Sequence, residues 1–314
     1  MRAAIARALP KGLKKTIAKT NLFENYRARD YAKGLKRIDI CSAQIAMMLQ
    51  QAGITSLRDK VCLEVGSGWL LTHAVVMHLL GARTVYATDI TPHARPEIIK
   101  LAIRSAVDSV TRDHLAQFSS HDDVRRRLSH LRSISRFSFD ALEELGIKYL
   151  SPVNIAEESI GEEIDFIYSI SVMEHVPVDD IPALLDSLYK KLRTDGDMIH
   201  WIHMEDHRNF SRPFDFFSIP EADYPRELQT RHGNRVRASE WKAYFNSLSG
   251  AKNQSLTEFQ RLDKALPDNT DASLSSFSED DLRTSHILMH TKKPEKAGLA
   301  DRKPEAKRRT AHLA

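Results

Sequence analysis

Two short segments of the sequence place histidine beside acidic side chains. One occupies residues 174–175 and the other residues 203–207, and each follows an apolar run. Histidine can accept a proton near neutral pH, and a neighbouring carboxylate orients its ring and raises its basicity. We therefore predict a proton-abstracting site that contains His203, Asp206, His207 and His175. His207 is the preferred base because it adjoins Asp206, and the alternative is that these are loop residues without a chemical role.

The spacing of these and other residues does not indicate a metal site or a disulfide. Histidine and aspartate can ligate Mg²⁺, Mn²⁺ or Zn²⁺, but the segment 203–207 matches no strong metal signature, so we expect no metal ion. Cys41 and Cys62 lie in apolar surroundings, with no Cys-x-x-Cys or Cys/His spacing. We expect both thiols to lie in the core.

A glycine-containing turn, Glu64-Val65-Gly66-Ser67-Gly68, ends the first short apolar run of the central region. Its glycines let backbone N–H groups approach a ligand at the start of the following helix. A dinucleotide-binding loop has a further glycine three residues after Gly68, where this sequence has Leu71, so a nicotinamide cofactor is the weaker interpretation. Asp89 ends the next apolar run and is placed to accept hydrogen bonds from ribose hydroxyls, unless it only caps a helix or turn.

All of these residues follow strands in a repeated strand–helix pattern, which must bring them together. Apolar runs bounded by turns predict strands, and longer stretches with helical periodicity lie between them. Strands are predicted at residues 60–65, 84–88, 147–153, 164–170, 197–203, 255–261 and 285–291, and helices at 70–80, within 96–145, at 178–192 and at 239–249, after one or two helices within 21–53. The pattern predicts an α/β fold: a doubly wound, mostly parallel seven-stranded sheet with helices on both faces. Such sheets bind ligands at the carboxyl ends of their strands.

The region from about residue 61 to residue 203 resembles the class I, Rossmann-like S-adenosylmethionine-dependent methyltransferases. The likeness is carried by the acid and glycine pair after the first strand, the acid after the second, the segment 169–177 with its Glu-His and proline, and the turn 192–197. It implies S-adenosyl-L-methionine as the cofactor, with the glycines under its methionine part and Asp89 on its ribose. The implied cofactor-binding residues are Glu64, Gly66, Ser67, Gly68, Asp89 and Asn154. Asn154 would face adenine or else form a turn, and Trp69 departs from a third glycine that many members have.

Three later segments, 203–207, 214–217 and 234–241, resemble a largely uncharacterised bacterial methyltransferase group associated with polysaccharide or other envelope-glycan synthesis. This resemblance implies methyl transfer to a hydroxyl of a sugar, a glycan-linked intermediate or a small molecule. It also implies that an insertion at about 205–237 caps the pocket, and that Arg235 or Arg237 binds an acidic acceptor unless both lie on a solvated face. A NAD(P)-dependent oxidoreductase and a non-catalytic cofactor-binding module are the alternative functions.

Composition and charge indicate a folded protein with basic ends. Of the 314 residues, 42% are hydrophobic and 28% are charged, which is typical of globular proteins. Residues 1–20 carry six basic and no acidic residues, and the chain from Lys292 onward carries eight basic and three acidic residues. We predict a basic segment with helices at 1–55, a methyltransferase domain at 56–292 and a disordered basic tail at 293–314.

The position of the positive charge disfavours nucleic acid as a partner, because a nucleic-acid binder usually carries it on the folded face that binds phosphate. Weak contact of the basic ends with an anionic membrane stays open. The sequence has no apolar run long enough to span a bilayer and no pattern of a secretory signal, so we expect a cytoplasmic protein. The sequence leaves the oligomeric state open.

Overall fold

The computed structural model describes residues 37–248, 250–260 and 263–295. The predicted basic segment at 1–20 and the predicted tail from residue 296 onward lie outside the described residues. The same holds for the part of the N-terminal helical region before residue 37. One helix of that region is described, α1 at Ile38–Gln51.

The central sheet has seven strands in the order β3-β2-β1-β4-β5-β7-β6. β1 to β5 run parallel, β7 is antiparallel to β5, and β6 is antiparallel to β7. The strands are β1 Val61–Val65, β2 Thr84–Thr88, β3 Ile147–Leu150, β4 Ile164–Ile170, β5 Leu192–His203, β6 Lys252–Gln260 and β7 Thr284–Lys292. The prediction of a doubly wound, mostly parallel seven-stranded sheet is confirmed.

Helices connect the strands and cover both faces of the sheet. The polar stretch 96–145 folds as four helices, and serine side chains begin two of them: Ser120 Oγ accepts from the Asp123 N–H and Ser138 Oγ from the Ala141 N–H. After α1, the helices are α2 Thr72–Leu79, α3 Pro96–Arg104, α4 Asp108–Leu115, α5 His121–Ser133, α6 Phe139–Glu143, α7 Ile181–Lys191, α8 Arg226–His232, α9 Ala238–Asn246 and α10 Glu279–Arg283. None of the described helices is long and apolar enough to cross a membrane.

The strand that leads to the histidine segment is longer than predicted. β5 begins at Leu192, so the turn that the sequence indicated at 192–197 lies within the strand, with Asp195 at φ 63°. Ile164 of β4 pairs with Leu192, whereas Phe166 already pairs with Asp197. The extra residues of β5 form a bulge, after which the strand pairs with both β4 and β7.

Both faces of the sheet are buried, which explains why its strands are almost continuously apolar. Along β1 the side chains alternate between two cores: Cys62 belongs to one, and Leu63 and Val65 belong to the other. The first core packs α1 and α2 against the sheet, and the second packs α7 and α9. The prediction that Cys41 and Cys62 lie in the core is confirmed, and both are free thiols.

The segment after β5 forms a third, smaller core with the chain before β7. Its buried members are Phe214, Phe216, Phe217, Tyr224, Leu274 and Leu282. Asn234 joins this segment to the loop after β4, because its backbone N–H donates to the Glu174 carbonyl at 2.7 Å and its Nδ2 donates to the Met173 carbonyl at 3.0 Å. The predicted insertion is thus a packed subdomain on the carboxyl edge of the sheet.

Two glycines with the same backbone conformation provide a matched test of the contact between β2 and β3. Gly146 and Gly161 both have φ +83°, but a Cβ on Gly146 would lie 2.3 Å from the Arg83 carbonyl oxygen, whereas a Cβ on Gly161 would meet nothing within 4 Å. Both alanine substitutions carry the strain of a left-handed residue, about 1–2 kcal/mol. Only Gly146→Ala adds a steric clash, about 1–3 kcal/mol. Thermal unfolding should show the larger loss of Tm for Gly146→Ala, and equal losses would contradict this packing.

Candidate active site

A cleft opens at the carboxyl ends of β1 and β4. These neighbouring strands lie where the strand order reverses, since β2 and β3 continue on one side and β5 on the other, and α/β sheets leave a crevice for ligands at such a point. The cleft has a volume of about 200 Å³. Its walls are formed by Gly66, Ser67, Gly68, Trp69, Leu70, Thr72, His73, Ile170 and Ser171.

The predicted glycine turn is closed against the end of β2. The N–H groups of Gly66 and Ser67 both donate to the Thr88 carbonyl at 2.9 Å. The Gly68 N–H donates to Asp89 Oδ2 at 2.8 Å. The expectation that these N–H groups face a ligand is therefore wrong, because the end of β2 accepts their hydrogen bonds.

The two glycines of this turn have different neighbours. A Cβ on Gly66, at φ +73°, would lie 2.5 Å from Val172 Cγ2, so this glycine allows the turn to pack against the loop after β4. A Cβ on Gly68, at φ +63°, would meet nothing within 4 Å, so Gly68 leaves space in the cleft. Between them, the buried Ser67 hydroxyl has no hydrogen-bond partner among the described residues. The turn therefore offers a ligand open space and one hydroxyl.

Asp89 lies at the end of β2, beside Gly68, as the sequence predicts. Its Oδ2 accepts from the Gly68 N–H at 2.8 Å and its Oδ1 accepts from the Thr91 N–H at 2.9 Å. Each carboxylate oxygen has a second lone pair, so each can accept one further hydrogen bond. The next residue, Ile90, is 74% exposed. A ligand that joins hydroxyl groups to a flat apolar ring would suit this pair of side chains.

A line of polar side chains runs from β1 to α1 beneath the cleft. Glu64 is buried on β1, and its Oε1 lies 3.6 Å from His73 Nδ1. His73 Nε2 lies 3.0 Å from Gln44 Oε1. His73 lines the cleft, whereas Glu64 supports it from below. Glu64 was predicted from the sequence, whereas His73 was not, because no local signal separates His73 from other helical histidines.

Trp69, which replaces a glycine of the resembled motif, forms part of the wall of the cleft. Its ring packs against His93, with the ring centroids 5.2 Å apart, and against an apolar cluster that includes Ile98 of α3. Leu71, which precedes α2, has φ 49°. Leu71, where a dinucleotide-binding loop has a glycine, thus adopts the left-handed conformation without being a glycine.

Asn154 is not among the residues that line the cleft, and its predicted position facing adenine stays a prediction. It is exposed, its Nδ2 donates to Glu157 Oε1 at 2.8 Å, and its Oδ1 accepts from the Ala156 N–H at 3.2 Å. The side chain thus forms a local turn, which was the alternative interpretation. Val153 lies closer to the site, since its N–H donates to the Asp89 carbonyl at 2.9 Å.

Histidine side chains from the ends of β4 and β5 meet beside the cleft. His175 Nε2 lies 2.9 Å from His207 Nδ1. On the other side of the same ring, His207 Nε2 lies 3.4 Å from Glu174 Oε1. Glu174 and His175 belong to a 3-10 turn that begins at Met173, two residues after the cleft residue Ser171. The structure therefore brings His175 and His207 together, next to the cleft.

His203 belongs to the same group but has a different carboxylate partner. Its Nε2 lies 2.6 Å from Glu205 Oε2. Its ring stacks on His286, which is opposite His203 in the β5–β7 pair, with the ring centroids 4.0 Å apart. The His207 ring centroid lies 4.6 Å from that of His203. We call six residues the histidine–glutamate cluster: Glu174, His175, His203, Glu205, His207 and His286.

Asp206 points away from His207, although the two residues are adjacent in the sequence. Asp206 Oδ1 lies 2.9 Å from His232 Nδ1 and accepts from the Arg208 N–H at 2.7 Å. The predicted pairing of His207 with Asp206 is therefore wrong. Asp206 instead joins the loop after β5 to the end of α8, and Glu174 and His175 take its place beside His207.

Burial keeps His207 and His175 neutral. Burial, together with the neighbouring His175 and His203, lowers the pKa of His207 to about 3. The pKa of His175 is also lowered, mainly by burial. His207 therefore has an unprotonated ring nitrogen at neutral pH, but it is a much weaker base than its predicted carboxylate partner would have made it.

Arg235 and Arg237 are buried within the insertion. Arg235 Nη1 donates to the Ile219 carbonyl at 2.7 Å, and its guanidinium lies 4.0 Å from the centre of the Tyr224 ring. Arg237 is 1% exposed, and its Nη2 donates to the Met204 carbonyl at 3.1 Å. These arginines therefore neither bind an acidic acceptor nor lie on a solvated face, because carbonyl groups and aromatic rings of the insertion enclose both side chains.

Two sets of cluster residues bring metal-binding atoms together among the described residues. In each set, three ligand atoms lie within 4.8 Å of one another. One set is Glu174, His203 and His207, and the other is His203, Glu205 and His286. Spacing along the sequence could not identify them, because their members follow different strands or lie on β7. The site prediction omitted Glu174 and Glu205, although both lie in its two segments, and His286 had no signal before the strand pairing was known.

A family model described as a methyltransferase domain matches residues 36–284 of the chain. Among curated proteins, none matches significantly. Among solved structures, the N-methyltransferase NodS from Bradyrhizobium japonicum WM9 is 12% identical, with a TM-score of 0.41, and the match covers 80% of this chain and 95% of that one. NodS in complex with S-adenosyl-L-homocysteine is 11% identical with a TM-score of 0.41, covering 80% and 86%. A chain of the Haloferax volcanii complex between the Trm112 methyltransferase activator and a methyltransferase is 13% identical, with a TM-score of 0.45, covering 86% and 96%.

The family match spans most of the described residues, including the glycine turn, Asp89 and nearly all of the histidine–glutamate cluster. It sets aside the nicotinamide-dependent oxidoreductase that the glycine turn alone left open. The chain belongs to the methyltransferase-domain family, and it is an S-adenosylmethionine-dependent methyltransferase with a Rossmann-like fold.

Proposed function

We propose that this methyltransferase acts on a hydroxyl oxygen of a sugar, a glycan-linked intermediate or another small molecule. The observation that carries the proposal is the position of the histidine–glutamate cluster. The cluster follows the ends of β4 and β5, and its Glu174–His175 turn begins two residues after Ser171 of the cleft. Adjacent strand ends thus supply the cofactor site and a group of proton-accepting side chains.

Three features in and beside the cleft fit S-adenosylmethionine. Asp89 has lone pairs for the ribose hydroxyls, Gly68 leaves open space, and the buried Ser67 hydroxyl has no partner among the described residues. When bound, the cofactor supplies an electrophilic methyl group on its sulfonium sulfur. Glu64 and Gly66 serve the site indirectly, because Glu64 supports His73 and Gly66 lets the turn pack against Val172.

If the acceptor is a hydroxyl, the cluster has a chemical role, which is to remove the hydroxyl proton. Methyl transfer depends mainly on the alignment of the two reactants, and a proton acceptor is needed only for a poorly acidic nucleophile such as a hydroxyl. The cluster contains imidazole nitrogens and two buried carboxylates, and its position after the ends of β4 and β5 supports an acceptor that enters on that side. We assign deprotonation to the cluster as a unit and not to His207 alone, because Asp206 is not its partner.

An exposed aromatic ring favours a sugar among the hydroxyl-bearing acceptors. Phe210 is 60% exposed, and its ring lies at 14° to that of His203 with the centroids 6.0 Å apart. One face of a pyranose ring presents C–H groups that pack on an aromatic ring, and its hydroxyls then remain at the edge. The resemblance of segments 203–207 and 214–217 to a group associated with polysaccharide synthesis supports the same choice.

We also propose bounds for the catalytic domain, a location for the protein and a role for the basic ends of the chain. We place the catalytic domain at 56–292 in a cytoplasmic protein that does not use nucleic acid as its partner. The basic residues of 1–20 and of the tail would make only weak, salt-sensitive contact with anionic lipid. Cosedimentation with anionic vesicles at low and high salt should show this weak binding disappear, and salt-resistant binding would contradict it.

Asp89→Asn should weaken the binding of S-adenosylhomocysteine by about 1.5–3 kcal/mol, or about 10–150-fold, because the ribose hydroxyls lose a charged acceptor. The asparagine keeps one oxygen for the Gly68 N–H, but its amide nitrogen replaces the oxygen that accepts from the Thr91 N–H, so circular dichroism must show that the variant is folded. Isothermal titration calorimetry measures the change. Asp113→Asn, at an exposed position on α4, is the matched control and should bind as wild type does. Unchanged affinity in Asp89→Asn would remove Asp89 from the cofactor site.

Transfer of a labelled methyl group to a fractionated bacterial extract tests the reaction. Wild type should label a carbohydrate-containing fraction, and His203→Ala should lower the rate of labelling by ~10²–10⁴ because the hydroxyl keeps its proton. Its affinity for S-adenosylhomocysteine should not change. His114→Ala, at an exposed position on α4, should label as wild type does. Near-normal labelling by His203→Ala would exclude the cluster from the reaction.

A further inference from the structure

We infer that the histidine–glutamate cluster binds one divalent transition-metal ion through Glu174, His203 and His207. One ligand atom of each residue lies within 4.8 Å of the other two. The Glu174 side chain is buried, and the two histidine side chains are largely buried. The three residues come from the ends of β4 and β5, so the ion would lie on the acceptor side of the cofactor cleft.

The separation between Glu174 and His207 suits a shared ion. His207 Nε2 lies 3.4 Å from Glu174 Oε1, and this nitrogen has no hydrogen-bond partner among the described residues. Two ligands that bind a tetrahedral zinc ion at about 2.0–2.1 Å lie roughly 3.4 Å from each other. The two atoms are therefore already at the spacing that a common ion requires.

Hydrogen bonds hold both imidazole rings in place. His207 Nδ1 lies 2.9 Å from His175 Nε2, on the opposite side of the ring from Glu174. Metal-binding histidines almost always use their second nitrogen in such a contact, which fixes the orientation and tautomer of the ring. His203 is held by Glu205, with 2.6 Å between Nε2 and Oε2, so His203 would bind the ion through Nδ1. His175 and Glu205 are thus positioning residues for the two ligands.

The donor set indicates the class of ion. Two imidazoles and one carboxylate suit Zn²⁺, Fe²⁺, Mn²⁺ or Co²⁺, whereas Mg²⁺ and Ca²⁺ prefer oxygen ligands. Three protein ligands also leave at least one coordination position for a substrate atom. Glu174 is 2% exposed, so the ion would bring positive charge to a deeply buried carboxylate.

The second set of candidate ligands is less suitable. His203 Nε2 and Glu205 Oε2 are only 2.6 Å apart, which is a hydrogen-bond distance and too short for two tetrahedral ligands of one ion. His286 Nδ1 lies 2.9 Å from Ser285 Oγ, and its ring stacks on His203. We therefore assign Glu205 and His286 to the support of His203.

The catalytic use of the ion rests on the proposed transfer to a hydroxyl. A divalent ion lowers the pKa of a hydroxyl that binds to it, so the acceptor can lose its proton near neutral pH. With Glu174, His203 and His207 bound to the ion, the cluster promotes deprotonation through the ion: the O–H bond breaks and the proton passes to solvent water, while a new bond forms between this oxygen and the methyl carbon. The carbon–sulfur bond of the cofactor breaks and its electron pair stays on sulfur, so no oxidant or reductant is consumed.

Zinc titration of the full-length, chelator-treated protein tests the ion site without a cofactor or an acceptor. Calorimetry should show one Zn²⁺ per wild-type chain, and Co²⁺ in its place should give visible d–d absorption. Glu174→Gln and His207→Ala should each weaken Zn²⁺ binding by at least ~10-fold, because each removes a ligand. Glu205→Gln and His286→Ala should have smaller effects, and the exposed control His114→Ala should bind as wild type does.

Circular dichroism and S-adenosylhomocysteine binding identify any variant that fails to fold. Because Glu174→Gln is nearly isosteric, its Zn²⁺ affinity is the measurement that decides whether Glu174 is a ligand. The inference is overturned if wild type binds Zn²⁺ no more tightly than Glu174→Gln. It is also overturned if Glu205→Gln and His286→Ala abolish binding while Glu174→Gln and His207→Ala do not. Methylation of a hydroxyl by the metal-free protein would overturn the catalytic use of the ion, whereas Zn²⁺ binding without hydroxyl methylation would overturn the proposed function alone.

Discussion

The packing of Gly66 against Val172 joins the two parts of the candidate site. The turn after β1 can approach the loop after β4 only because residue 66 lacks a Cβ, which would lie 2.5 Å from a Val172 methyl carbon. The N–H groups of Gly66 and Ser67 also donate to the Thr88 carbonyl, so the ends of β1, β2 and β4 are fixed relative to one another. The cleft and the turn that bears Glu174 are thereby held at a fixed separation, and a reaction that depends on the alignment of its reactants requires such a fixed geometry.

The histidine–glutamate cluster carries a cost in stability. Glu174 and Glu205 are buried carboxylates, and removal of a charge from water costs several kcal/mol unless charges and hydrogen bonds compensate it. The surrounding subdomain supports this arrangement, since the Asn234 N–H donates to the Glu174 carbonyl. Apolar side chains in the same space would lower the stability of the fold less. A buried group of titratable residues beside a ligand cleft is therefore better explained by chemistry than by packing.

The sequence predicted the fold best where each element carries its own signal. β2 and β4 have the predicted bounds of 84–88 and 164–170, because turns delimit their apolar runs. Asp89 was located by the same signal. Side-chain partners could not be predicted in this way. Asp206 and His207 are neighbours in the chain but have different partners, and His286 joins the cluster only through the antiparallel pairing of β5 and β7.

The burial of Arg235 and Arg237 also could not be predicted from the sequence. A local pattern of charge before a helix indicates a solvated surface, but the third core encloses both residues. That core forms from segments on either side of β6, so its existence depends on long-range contacts.

Identification of the methylated atom is the most direct test of transfer to a hydroxyl. After reaction of wild type with isotope-labelled S-adenosylmethionine and the extract fraction that accepts the label, nuclear magnetic resonance should find the label on oxygen, as a methyl ether. A label on nitrogen, sulfur or carbon would contradict transfer to a hydroxyl.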